Sequence, residues 1–200
     1  MYDQPRDQCI YKVVDIILGK QRSYAMGRGT SGVKFKVFSE ALQDKIREYT
    51  EAGGSVMASG CYVASDLWNG IASDGEDKGF ARGVLHYSFS GDMATRRGQV
   101  RTVASPMNMP RLDITFNREP SATHYGVESP GIIMPAGRDA FIAMRYPRSN
   151  QPAAVGYKGK EYRSFVMAFP FESILDEGQR DKLMSGVLNF LNQSGETQAE

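Results

Sequence analysis

The run Tyr11-Lys-Val-Val-Asp-Ile-Ile-Leu18 constrains the fold more than any other segment. It is β-branched, mostly apolar and cut off by Gly19, which is the pattern of a strand buried on both faces in a parallel sheet. A polar, Gly-rich stretch from Gln21 to Lys34 follows. Ser39 then offers an N-cap oxygen to a helix that carries Leu42, Ile46 and Tyr49 at helical spacing and ends at Gly53-Gly54. A second short apolar run, Ser55-Val-Met-Ala-Ser59, leads through Gly60-Cys61 into Tyr62, Val63, Leu67 and Trp68, so the unit reads as strand, sharp turn, helix.

Further along, Phe80 to Leu85 has the character of a short helix, and Gln99–Ala104 and Leu112–Phe116 have the composition of strands. Pro106, Pro110, Pro120, Pro130 and Pro135 interrupt the stretch from Ser105 to Gly137, which is expected to wrap the surface or form a rim over a site. Ala140–Tyr146, Ala153–Tyr157 and Tyr162–Phe169 read as strands, the last two joined by a hairpin at Lys158-Gly159-Lys160. Asp176 and Gln179 have capping-box spacing ahead of an apolar stripe of Leu183, Met184, Val187, Leu188 and Leu191. Residues 1–192 are therefore expected to form one α/β domain, and residues 193–200, with no apolar residue but Ala199, a flexible tail.

The chain has 200 residues, 41% of them hydrophobic, enough to bury roughly 70% of its unfolded surface in one core. Its 24 Lys and Arg balance 23 Asp and Glu, a net charge of +1 that argues against nucleic acid or an anionic membrane as partner. Apolar runs such as Ile16-Ile17-Leu18 fall far short of the ~20 residues of a membrane-spanning helix. Met1–Gln8 is polar and lacks the apolar stretch of a secretory signal, and Cys9 and Cys61 leave the redox compartment open.

In a parallel sheet, ligands collect at the carboxyl ends of the strands. That rule selects three loops, Gly19-Lys20-Gln21, Ser59-Gly60-Cys61-Tyr62 and Pro170-Phe171-Glu172. Cys61, at the strand-to-helix turn, is the candidate nucleophile, with Lys20 as a cation able to lower its pKa and the amides near Gly60 and Tyr62 as oxyanion donors. Its alternative role is a small buried residue at a tight turn. The candidate bases are His124, in the proline-rich rim, and His86, at the fringe of a helix, with Glu172 as the group that would orient them. No metal site is expected, because Asp74, Glu76 and Asp77 lack further ligands and read as a solvated loop. No cofactor is expected either: Gly27-Arg-Gly-Thr-Ser-Gly32 matches the letters of a dinucleotide motif, but Val33–Phe38 separates it from the helix it would have to open. Tyr24, Trp68, Tyr87, Tyr125 and Tyr146 could stack on sugar rings or serve as packing.

Three segments carry a resemblance: Val14-Asp-Ile-Ile-Leu-Gly-Lys-Gln21, Glu51-Ala-Gly-Gly-Ser-Val-Met-Ala-Ser-Gly-Cys-Tyr-Val-Ala-Ser-Asp66 and Phe165-Val-Met-Ala-Phe-Pro-Phe-Glu172. Across Tyr11 to Leu191 the chain resembles the amidotransferase-like region of xanthan lyase-like proteins, some of which carry a golvesin-type module. The resemblance implies a three-layer, flavodoxin-like α/β fold of the class I glutamine amidotransferase type, with a mostly parallel sheet and helices on both faces. In those amidotransferases a His-Pro-Glu segment follows a later strand; here Phe169 stands in the histidine's place, with Pro170 and Glu172 matched. The resemblance thus implies a noncatalytic accessory or interaction domain of an exported, periplasmic or cell-surface, polysaccharide-processing protein. Its partners would be polysaccharide or other domains of a longer parent. Relatives have strands ahead of the segment matching Tyr11, so an open sheet edge and a homodimer are further expectations. The alternatives are a cysteine-dependent amidase or hydrolase using Cys61, and a carbohydrate-binding module.

Overall fold

The computed structural model describes residues 11–26, 33–71 and 73–193. The glycine-rich letters at 27–32, Cys9 and the tail beyond Gln193 lie outside them. Eleven strands and four α-helices are described: β1 (Val13–Ile17), β2 (Tyr24–Met26), β3 (Val33–Phe35), α1 (Glu40–Glu51), β4 (Ser55–Ser59), α2 (Val63–Asn69), α3 (Gly75–Gly83), β5 (Tyr87–Gly91), β6 (Gln99–Thr102), β7 (Asp113–Thr115), β8 (Ile132–Pro135), β9 (Ala140–Arg145), β10 (Pro152–Lys158), β11 (Arg163–Met167) and α4 (Glu177–Leu191).

Seven strands form the main sheet, in the order β1-β4-β11-β10-β9-β6-β7. Only β1–β4 and β4–β11 pair in parallel. The β11–β10, β10–β9, β9–β6 and β6–β7 pairings are antiparallel. This overturns the expected flavodoxin-like architecture with a mostly parallel sheet: the sheet is mixed, helices are few, and strand-helix alternation holds only through α2. The physical reason lies in the connections, since β6–β7 and β10–β11 fold back by loops without a helix, and such returns produce antiparallel pairs.

Side chains alternate across the central strands, so each strand feeds two cores. From β4 and β11, Met57, Phe165 and Met167 enter one apolar cluster with Leu183, Val187 and Phe190 of α4. Val56 and Val166 enter the other, with Ile46, Leu67, Phe80 and Ile133. The proline-rich segment is not a surface wrap: Met107, Leu112, Ile114, Phe116 and Val127 belong to the α4-side core, and β8 pairs with β5 as a separate ribbon. The acidic run at 74–77 is not a solvated loop either. Asp74 and Asp77 form a reciprocal capping box that starts α3, and the fully buried Asp77 accepts from Gln43 Nε2 at 2.6 Å and pairs with Lys36 at 2.8 Å.

Candidate functional site

β1, β4 and β11 are parallel neighbours, so the chain segments leaving their carboxyl ends meet. The Cys61 amide donates to the Gly19 carbonyl at 2.8 Å. The Phe171 amide donates to Ser59 Oγ at 3.3 Å, tying the Pro170–Glu172 segment to the end of β4. Gly19 sits at φ 53, where a Cβ would stand 3.5 Å from Glu172 Oε1. Gly60 is required by close approach: a Cβ there would stand 2.9 Å from Leu18 Cβ. The three loops selected from sequence therefore form one site.

Cys61 lies at its floor, 1% exposed. Burial pushes its thiol above the ordinary value, as does the negative charge of Glu128, while hydrogen bonds from the backbone amides of Glu128 and Ser129 and the charge of Lys20 act in the opposite direction. Burial wins, so the group is held as a thiol. The Cys61 amide, already spent on Gly19, is not free to serve an oxyanion, and the amides that do reach the sulfur come from the 128–129 segment instead of the Gly60–Tyr62 turn.

Above the thiol lies a charged network. Lys20 Nζ pairs with Glu128 Oε1, and Tyr62 Oη donates to Glu128 Oε2 at 2.6 Å. Lys20 and Tyr62 together hold the Glu128 carboxyl below its usual range. Burial and the bond to Glu128 push the Tyr62 hydroxyl up to about 12. Arg22 lies over the Tyr62 ring, 5.3 Å from its centroid. On the other side Tyr125 Oη donates to Glu172 Oε1 at 2.6 Å, while buried Glu172 Oε2 has no hydrogen-bond partner. Gln21 turns back through its amide to the Leu18 carbonyl at 2.9 Å and leaves its side chain exposed.

Neither histidine joins the groups that act on the sulfur. His86 Nε2 is 2.8 Å from Tyr162 Oη, and its ring stacks on Tyr157 with centroids 3.3 Å apart. Tyr162 precedes β11, whereas Cys61 lies beyond the strand's far end; at ~3.3 Å per residue the two ends are on the order of 15 Å apart. Burial lowers the His86 pKa to about 4, so the ring is neutral there. His124 Nδ1 is 2.9 Å from Thr123 Oγ1. Glu172 therefore bonds a tyrosine rather than either imidazole, and Phe169 is fully buried and stacked on Phe116 at 4.7 Å.

Sequence reading missed Arg22, Arg118, Asp92, Glu128 and Ser129. They carry no local signature, because long-range folding assembles them. Arg118 Nη1 donates to the Val127 carbonyl and, at 3.3 Å, to that of Glu128, which places the two amides on Cys61. Of the aromatics that could stack on sugar rings or serve as packing, Tyr87 and Tyr146 are core, whereas Tyr24 is half exposed. Among the described residues, no group of three or more His, Cys, Asp and Glu side chains is placed to hold a metal ion, and no helix is long and apolar enough to cross a membrane.

No protein-family model matches the chain, and no curated protein sequence matches it. Solved structures do match its fold. A polyextremophilic β-galactosidase from the Antarctic haloarchaeon Halorubrum lacusprofundi superposes with a TM-score of 0.52 at 16% identity, over 93% of this chain and 23% of that one. A cytoplasmic protein from Salmonella typhimurium superposes with a TM-score of 0.53 at 11% identity, over 90% of this chain and 98% of that one. The chain thus spans about a quarter of the β-galactosidase and nearly the whole of the Salmonella protein, and at these identities the likeness is one of fold alone.

Proposed function

We propose that the chain is a noncatalytic accessory or interaction domain of a xanthan lyase-like, polysaccharide-processing protein. The observation that carries this reading is the state of Cys61: a buried thiol pushed above its ordinary pKa, with His86 bonded to Tyr162 and His124 to Thr123 rather than to the sulfur. A nucleophile in that condition lacks the group that commonly contributes roughly 10² to 10⁴ in rate. The match to 23% of a β-galactosidase supports a domain of this fold inside a longer carbohydrate-active chain. In the setting that the sequence resemblance implies, the parent is an exported protein of the periplasm or cell surface.

The outer strand of the sheet supports an interaction role. Among the described residues β1 pairs only with β4, and its Val14 and Ile17 are 37% and 54% exposed. Such an edge accepts another strand or an apolar partner.

The rival is a cysteine-dependent amidase or hydrolase. Comparing the chain with its Cys61→Ala variant on glutamine and on p-nitrophenyl acetate separates the two. The accessory reading expects equal rates, both near the uncatalysed background. Turnover that disappears with the sulfur contradicts it.

A further inference from the structure

Beside the Cys61 floor, and separated from it by the 128–129 segment, is an open pocket of about 310 Å³, at the small end of the range for ligand sites. We propose that this pocket, walled by Arg22, Tyr62, Asn69, Asp92, Glu128 and Ser129, binds one neutral sugar residue. The inference rests on the polysaccharide-linked reading above for its setting, and on the pocket's own chemistry for its ligand.

The walls exclude other classes one by one. An anion would meet the Asp92 and Glu128 carboxylates, and Arg22 already faces both of them, so it is not a free anion receptor. A planar base or aromatic ligand would need a bare ring to stack on, yet the Tyr62 face is covered by the Arg22 guanidinium. An organic cation would share the pocket with that guanidinium and with Lys20 at its edge. What remains is a neutral ligand with several hydroxyls, each able to donate to a carboxylate and to accept from Arg22 or the Asn69 amide.

The carboxylates are prepared for such donors. Ser65 and Ser129 hydroxyls bond Asp92, which fixes its orientation, and burial still raises its pKa, so the group lacks the donors that water would supply. Glu128 is oriented by Tyr62 and Lys20. Met93, next to Asp92, stands at φ 55 and is 62% exposed. A long side chain in the left-handed region is strained, and such strain gathers at ligand-holding segments.

A hexose of about 12 non-hydrogen atoms is expected to bind with a Kd on the order of millimolar. The test is a titration of the isotope-labelled intact chain with D-glucose, D-galactose, D-mannose and D-xylose, followed by amide chemical shifts, with choline chloride and sodium sulfate as cationic and anionic probes. The expected result is saturable shifts at Tyr62, Met93 and Ser129 with at least one sugar, weakened tenfold or more in Asp92→Ala and in Asn69→Ala. Asn69 is exposed, so its variant keeps the test valid if Asp92→Ala fails to fold. No saturable shift with any of the four sugars, or saturation only with choline or sulfate, overturns the inference. Sugar binding accompanied by Cys61-dependent turnover would keep the site and overturn the noncatalytic reading. An inert Cys61 with no sugar binding would do the reverse.

Discussion

Phe169→Ala is expected to lower the stability of the chain by about 4 kcal/mol, within the 3–5 kcal/mol span for removing a buried phenylalanine. The ring is fully buried and lies against Phe116, with centroids 4.7 Å apart and planes 16° from parallel. Deleting it removes both that stack and its contacts with the α4-side core, and a close-packed interior fills such a space only in part. Phe169→His is expected to lose a comparable amount. Its ring nitrogens would face an apolar stack without partners. Urea unfolding followed by circular dichroism checks both variants: the midpoint falls while the slope stays constant. A Phe169→His variant as stable as the parent chain would mean that the site tolerates an imidazole after all.

Gly131→Ala is the second large effect, expected at about 3 kcal/mol from overpacking. A Cβ at Gly131 would stand 2.2 Å from Ala64 Cβ. Neither side can yield cheaply. The Gly131 amide donates to the Ala168 carbonyl at 2.8 Å, and its own carbonyl accepts from Tyr146 Oη at 2.8 Å. Ala64 is itself fully buried in α2, the helix that follows the Cys61 turn. Gly79→Ala is the control: nothing lies within 4 Å of its Cβ position in α3, so the same substitution there is expected to stabilise by about 1 kcal/mol through helix propensity. Thermal unfolding of the pair measures the contrast, and a Gly131→Ala protein that melts with the parent would contradict the packing described for α2.

Those two positions also mark how far the sequence could be read. The parallel trio was partly legible, because Tyr11–Leu18 and Ser55–Ser59 are apolar runs closed by glycines, and each becomes a strand in the trio, but β1 is not buried on both faces as its composition suggested: it stands at the sheet's edge with Val14 and Ile17 exposed. α4 was legible from its cap: Asp176 accepts from the Gln179 amide at 2.7 Å. Strand direction was not. The alternation of Ala153–Tyr157 or Ala140–Tyr146 is the same in a parallel or antiparallel pair, so a rule valid through α2 was extended to strands that fold back on themselves. The proline-rich segment misled for a related reason. Prolines forbid long regular elements but do not forbid burial, and Leu112, Ile114 and Phe116 reach the core between them.

The site divides along the same line. Its three loops follow from where parallel strands end, so Gly19, Cys61 and Glu172 could be placed near one another before any geometry was known. The residues that set the electrostatics could not. Glu128 lies 66 positions from Tyr62, and Arg118 reaches the 127–128 carbonyls from a segment without periodicity. His86 was drawn toward catalysis by its residue type alone, whereas φ 60 and a tyrosine stack fix it at the other end of the sheet.

The central claim is that the sulfur at position 61 is a protonated, shielded thiol with no base to activate it. The most direct measurement is the rate of iodoacetamide alkylation against pH in a Cys9→Ser background, which leaves Cys61 as the sole thiol. Thiolate is the reacting form, so the rate follows its fraction. The account predicts alkylation slower than that of a free cysteine throughout, rising with pH to a midpoint above that of a free thiol, because burial raises the group's pKa. A fast reaction with a midpoint well below the ordinary ~8.5 of a free thiol would contradict it and assign Cys61 a nucleophile's role.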